Sequence, residues 1–153
     1  MSKTMILAVG GAGCNMAETI MREASAHWVS EATYLFADSD MKRLSKLGKK
    51  GFETLSLQCD SDSFPTDKLK GVEKLYILAG LGGVTGSKFA EIAAKAAQSD
   101  GVENVALIVT IPFVFEGSGK LAKATEALKS LSDLPIKVLY NEELPNVIRT
   151  LTL

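Results

Sequence analysis

The stretch AGLGGVTGSK, residues 79–88, carries four glycines and follows directly on the apolar run KLYIL. Glycine has no Cβ and tolerates positive φ, so a strand that runs into glycines can bring backbone amides close to a ligand. Apolar residues at helical spacing come next, namely Phe89, Ile92, Ala93, Ala96 and Ala97. This succession of strand, turn and helix is the unit from which parallel sheets with covering helices are built.

The same unit recurs along the whole chain. Six apolar segments are typical of buried strands, at residues 4–9, 32–37, 53–58, 74–80, 105–112 and 136–140. Helices are predicted around residues 41–47, over 119–131, and after the first strand, where one face carries Met16, Ala17, Ile20, Met21 and Ala24. The alternation predicts an α/β fold, a Rossmann-like three-layer sandwich with a mostly parallel six-stranded sheet and helices on both faces.

Composition limits the classes of function. The chain has 153 residues, 46% of them apolar, which suits one domain with a substantial core. Lys and Arg number 17 against 18 Asp and Glu, which argues against a nucleic-acid binder. The longest apolar runs are strand-length, so we predict no membrane span. Cys14 and Cys59 show no metal-ligand spacing and fit a reducing, cytoplasmic compartment.

Several loops are predicted to meet at one edge, because ligands of such sheets bind beyond the carboxyl ends of the strands. Two of them, GGAGCN at residues 10–15 and GLGGVTGS at residues 80–87, are glycine-rich and open a helix. A helix amino terminus suits a phosphate group, whereas a tight turn without a ligand is the alternative. Neither loop is a Walker A motif.

Other side chains at this edge leave alternatives open. Asp38 and Asp40 follow the second strand, where a carboxylate either binds a ribose hydroxyl or caps the next helix. Thr85 and Ser87 offer hydroxyl groups to a ligand, although Thr85 is also a suitable helix cap. Spacing alone favours a capping role for Glu116.

The chain offers no visible catalytic cluster. It contains a single histidine, His27, around which no Ser/His/Asp, Cys/His or metal arrangement can be built. Cys14 lies near a predicted helix amino terminus, where thiol pKa values are often lowered. We interpret it as a small loop residue and not as a nucleophile.

The motifs VGGAGCN, FADSD, AGLGGVTGS, VTIPFVFEG and YNEEL, in this order, resemble the FtsZ/tubulin family, and its FtsZ branch most closely. The resemblance implies a guanine-nucleotide-binding domain with GTP or GDP as cofactor, with or without Mg²⁺. It also implies the binding residues, which are Gly10, Gly11, Gly13, Asn15, Asp40, Gly82, Gly83, Thr85, Gly86, Ser87, Glu116, Lys120 and Asn141. Within that set Glu116 would lie by the ribose and Asn141 would contact guanine.

Departures from the family pattern shape the expected function. Val84 replaces a glycine of the signature loop, where a positive φ would strain a valine. The polar CDSDSFPTD, residues 59–67, stands where the family has a loop that senses the terminal phosphate. We expect a single nucleotide-binding domain over residues 1–153, without the family's second domain. We expect neither efficient hydrolysis nor ordinary filament formation from it, and a role linked to cell division or cytoskeletal regulation.

Two other functions stay open. One is a degenerate relative that binds no nucleotide and acts as an interaction or assembly module, to which Val84 points. The other is a dinucleotide-binding oxidoreductase, suggested by Gly11, Gly13 and Asp38. The expected partners are guanine nucleotide and either a second copy of the chain or an FtsZ-like protein, with neither nucleic acid nor membrane.

Overall fold

The computed structural model describes residues 4–23, 32–57, 64–80, 84–102, 104–111 and 136–140. Strand and helix alternate as the sequence predicts, and the predicted helix over residues 119–131 lies outside the described residues. The elements are β1 (Thr4–Val9), α1 (Gly10–Glu23), β2 (Thr33–Asp38), α2 (Met41–Lys49), β3 (Glu53–Ser56), a 3-10 turn (Thr66–Leu69), β4 (Lys74–Gly80), α3 (Val84–Ser99), β5 (Asn104–Ile111) and β6 (Ile136–Tyr140).

The six strands form one sheet in the order β3-β2-β1-β4-β5-β6. Every described pair of neighbouring strands is parallel, which confirms the predicted six-stranded sheet. The chain runs outward from β1 to β3, then returns to the centre at β4 and runs outward in the other direction. The strand order therefore reverses between β1 and β4, which is where ligands of such sheets bind.

Alternate residues of β1 face two separate apolar clusters, because successive strand side chains point to opposite faces. Ile6 and Ala8 pack with the buried face of α1 and with Leu47 of α2. Leu7 and Val9 pack with α3. The described helices thus cover both faces of the sheet, and the three-layer architecture is confirmed.

The apolar face of α1 is narrower than predicted. Met16, Ala17 and Ile20 are buried, as their helical spacing indicates. Met21 is 37% exposed, so the prediction that it faces the core is wrong. It lies at the margin of the buried stripe, one position (about 100° of helix rotation) beyond Ile20. Ala24 lies outside the described residues.

The face of α3 is built mainly from small residues. Ala90, Ala93, Ala94 and Ala97 are fully buried beside Phe89, and Ile92 and Ala96 pack at the margin of the same cluster. Short side chains let the helix lie close to the sheet, and Phe89 fills the remaining volume. None of the described helices combines the length and the apolar character that crossing a membrane would need.

Candidate functional site

Both glycine-rich turns leave the sheet at the switch point. β1 and β4 are parallel neighbours, and Val9 pairs in register with Ala79. The residues that follow this pair along the chain, Gly10 and Gly80, therefore lie at the same edge of the sheet. α1 begins at Gly10 and α3 begins at Val84. The two helices pack on opposite faces of the sheet and also approach each other.

α1 follows β1 without an intervening loop. Gly10 is buried and has a φ of 74°, a conformation that glycine adopts without strain. The change of direction from strand to helix is completed at this one residue. The amides of the first helical turn have no acceptor within the helix and face outward from the edge. They form the part of the site that the backbone alone provides.

Gly13 has a structural task that the sequence did not reveal. A Cβ at this position would overlap the carbonyl oxygen of Leu78 and lie 3.1 Å from its carbonyl carbon. The glycine therefore allows α1 to contact the backbone of β4 directly. Only knowledge that β4 is the neighbour of β1 could have predicted this packing role.

Gly11 makes room for an arginine of α2. The position of a Cβ on Gly11 is 3.1 Å from both Cζ and Nη2 of Arg43 and 3.2 Å from Nη1. The guanidinium plane therefore lies flat against the first turn of α1. Arg43 was not among the predicted site residues. Its only sequence signal is its spacing from Asp38 and Asp40.

The two aspartates after β2 have different tasks. Asp38 is 3% exposed, accepts hydrogen bonds from the amides of Ser39 (2.7 Å) and Asp40 (3.2 Å), and forms an ion pair with Arg43. Asp40 is the N-cap of α2 and accepts from the amides of Lys42 at 3.0 Å and Arg43 at 3.3 Å. The capping alternative is thus confirmed for Asp40. The buried Asp38 carboxylate accepts its hydrogen bonds from two backbone amides and from Arg43. These internal partners disfavour a role for Asp38 in binding a ribose hydroxyl.

Cys14 is buried in the cluster formed by α1, α2 and the sheet. Burial, with a smaller contribution from the nearby Asp38 carboxylate, raises the pKa of its thiol to about 12. The thiol is therefore protonated at neutral pH and poorly nucleophilic. This supports the interpretation that Cys14 is not a nucleophile, whereas its assignment to a loop is wrong, since it lies within α1. No group of metal-binding side chains occurs within the described ranges.

Val84 is the first residue of α3. Among the described residues only glycines have positive φ, so the valine carries no backbone strain. Thr85, Gly86 and Ser87 lie in the first turn of the same helix, at the edge where the sequence placed them. Nζ of Lys88 lies 5.5 Å from the ring centroid of Phe89.

Of the remaining predicted residues, one is described by the structure and five are not. Asn15 is exposed on α1, and its backbone carbonyl accepts a hydrogen bond of 2.9 Å from the hydroxyl of Thr19. Five predicted residues lie outside the described part of the chain, namely Gly82, Gly83, Glu116, Lys120 and Asn141. Their place at the site stays a prediction.

Together these features define a doubly wound α/β protein with two glycine-rich turns at its switch point. The chain is 31% identical over 174 residues to cell division protein FtsZ of Aquifex aeolicus, a match covering 99% of this chain and 46% of the relative. It is 30% identical over 167 residues to cell division protein FtsZ 1 of Pyrococcus furiosus, covering 95% and 43%. The chain belongs to the FtsZ/tubulin family and spans about half the length of the curated relatives it matches.

Solved structures agree on the fold. An empty FtsZ dimer from M. jannaschii matches with a TM-score of 0.72 at 21% identity, over 96% of this chain and 47% of that one. CetZ2 from Haloferax volcanii, solved as a GTPγS-bound protofilament, matches with a TM-score of 0.74 at 19% identity, over 98% and 56%. No family model matches the chain.

Proposed function

We propose that this domain binds GTP or GDP at the carboxyl edge of its sheet, with the phosphates at the amino end of α1. One observation carries the proposal. The two glycine-rich turns leave adjacent parallel strands at the switch point, and each leads into a helix whose amino end lies at that edge. Two helix amino ends at one place favour a ligand with several negative charges.

The first turn of α1 supplies the main contacts. The amides after Gly10 lack acceptors within the helix, and the helix dipole adds partial positive charge at the same point. Gly10 permits the sharp change of direction from β1 into α1, and Gly11 leaves room for the Arg43 guanidinium beside the same turn. Asn15 lies one turn further along α1 and faces solvent, where its amide can bind the nucleoside.

The rest of the site follows the family pattern. The second phosphate loop comprises Gly82, Gly83, Thr85, Gly86 and Ser87. In this proposal Glu116 binds on the ribose side, Lys120 takes the place of an arginine that is common in the family, and Asn141 contacts guanine. Asp40 keeps its capping role while its side chain, 47% exposed, faces the same edge. Guanine is favoured over other bases because CetZ2, a structural neighbour of the domain, was solved with GTPγS.

Hydrolysis and assembly form a second part of the proposal. The polar residues 59–67 replace the loop that the family uses at the terminal phosphate, so we propose that the domain holds nucleotide without efficient turnover by itself. It acts in the cytoplasm, in cell division or cytoskeletal regulation, with a second copy or an FtsZ-like partner. Phosphate release measured on the domain alone, and after mixing with an FtsZ, tests this part.

Titration with a fluorescent GTP analogue, with and without Mg²⁺, tests nucleotide binding. We expect saturable binding that GDP competes away and ATP does not. Chromatography of the denatured protein should also release guanine nucleotide carried through purification. A lack of saturable binding at high micromolar protein would contradict the proposal. Competition by NAD in preference to GDP would instead favour the oxidoreductase alternative.

A further inference from the structure

The candidate site contains a cation that the family resemblance did not supply. Cα–Cβ bonds of an α-helix tilt toward its amino end. The guanidinium of Arg43, which lies against the Cβ position of Gly11, is therefore beside the first turn of α1. That is the turn whose free amides form the proposed phosphate site. An arginine at this place adds guanidinium N–H donors to the free amides of the helix.

Two carboxylates hold this guanidinium in place. Asp38 pairs with Nη1 from a buried position, and Asp40 lies 3.7 Å from the same nitrogen. The amides of Ser39 and Asp40 in turn hold the Asp38 carboxylate. A guanidinium is planar and presents five donors in a fixed fork, so fixing one nitrogen orients the others. The Arg43 side chain is 40% exposed, which leaves part of the fork accessible from solvent.

The pair also changes what a phosphate would meet at this edge. An unpaired Asp38 carboxylate would repel a phosphate approaching the amino end of α1, and Arg43 offsets that carboxylate. With Asp40 at 3.7 Å from the same nitrogen, the three side chains still carry a net charge of −1. Directed guanidinium donors and free helix amides, and not a positive net charge, are therefore what would hold an anion here.

We propose that Arg43 is a phosphate-contacting residue of the nucleotide site, held against Gly11 by Asp38, and that it selects nucleoside di- and triphosphates over ligands without a phosphate chain. This inference rests on the proposed function. The planar fork matches two phosphate oxygens at once, which makes such contacts stronger than those to a neutral donor. Asp38 is then a positioning residue that acts through Arg43.

Replacing Arg43 alone would leave a buried carboxylate without its partner. The test therefore compares the wild type with the double variant Asp38→Asn/Arg43→Gln, in which no buried charge is left unpaired. Asp38→Asn alone measures the effect of releasing the guanidinium from its anchor. Lys46→Gln is the matched control, since Lys46 is an exposed cation one turn further along α2. Arg43→Lys is a further variant that keeps the partner of Asp38 and loses only the planar fork. Circular dichroism and thermal melting establish that each variant is folded.

Dissociation constants for GTP, GDP and guanosine are measured for each protein by competition with a fluorescent guanine nucleotide. We expect the double variant to bind GTP and GDP at least about tenfold more weakly than the wild type, with guanosine unchanged, and Asp38→Asn to fall between the two because it keeps the guanidinium but loses its anchor. Lys46→Gln should match the wild type, and Arg43→Lys should lose several-fold. The salt dependence of GTP binding should become shallower in the double variant, because one charged contact is lost.

Three results would overturn the inference, and they differ from one another. Equal affinity of the double variant and the wild type for GTP and GDP would show that Arg43 does not contact the phosphates. A loss of guanosine affinity as large as the loss of GTP affinity would show that the substitutions disturb the site as a whole and that Arg43 does not select for the phosphate chain. An absence of guanine-nucleotide binding by the wild type would remove the proposed function itself, and the inference with it.

Discussion

Gly13→Ala tests the contact between α1 and β4 on which the geometry of the edge depends. The added Cβ would overlap the carbonyl oxygen of Leu78 and lie 3.5 Å from Cα of Ala79. Both are backbone atoms that cannot rotate away, so α1 has to lift off the sheet. Overpacking of this kind costs about 3 kcal/mol at the upper end of its usual range, and alanine returns about 1 kcal/mol of helix propensity. We expect a net loss of about 2 kcal/mol.

Gly48→Ala is the matched control. Gly48 lies in α2, has no positive φ, and a Cβ there would meet nothing within 4 Å. The variant should gain about 0.5–1 kcal/mol from helix propensity. Urea unfolding followed by far-ultraviolet circular dichroism gives both values, and Gly13→Ala should lower the melting temperature by about 4–8 °C. If Gly13→Ala were as stable as the wild type while Gly48→Ala gained stability, the contact with Leu78 would be refuted.

Further predictions concern a cap, the core and alkaline pH. Asp40→Ala removes the N-cap of α2 and should cost about 0.5–2 kcal/mol by thermal melting; an unchanged melting temperature would contradict the cap. Phe89→Ala should cost about 3–5 kcal/mol in urea unfolding, and a loss under about 1 kcal/mol would mean that α3 does not pack as described. Burial raises the pKa of Cys14 from 9.0 to about 12. Between these two pH values the folded state keeps a thiol proton that the unfolded state releases. The free energy of unfolding should therefore fall by about 1.4 kcal/mol per pH unit in this range. Burial also raises the pKa of Tyr34 from 10.0 to about 12, which adds to this decline. In Cys14→Ala the free energy of urea unfolding should fall less steeply with pH above pH 9. The same dependence on pH in the variant and the wild type would contradict the raised pKa of Cys14.

Much of the fold could be predicted because its causes are local. Apolar runs of strand length alternate with helical spacing, and that alternation alone indicates a parallel sheet with helices on both faces. Parallel strands end at a common edge, so the turns after β1 and β4 could be placed together before their neighbour relation was known. The cap at Asp40 could be stated as one of two alternatives, since capping needs only the residue type and the helix that follows.

The missed features depend on contacts between distant parts of the chain. The packing role of Gly13 requires knowing that α1 crosses Leu78 of β4, which no local pattern encodes. The place of Arg43 requires the angle between α1 and α2, and Asp38 could be assigned to the interior only once that arginine was found beside it. The family pattern raised the question of strain at Val84, because the family has a glycine there; the helix begins at the valine itself, whose φ is not positive.

Amide chemical shifts recorded during a titration with GDP test the central claim most directly. The binding site lies at the carboxyl edge of the sheet, around the first turn of α1. The largest shift changes should therefore fall on the amides of Gly10, Gly11 and Gly13 and follow one saturable curve. Shifts that stay unchanged at saturating GDP, or that change only at the opposite edge near Lys74 and Asn104, would contradict it.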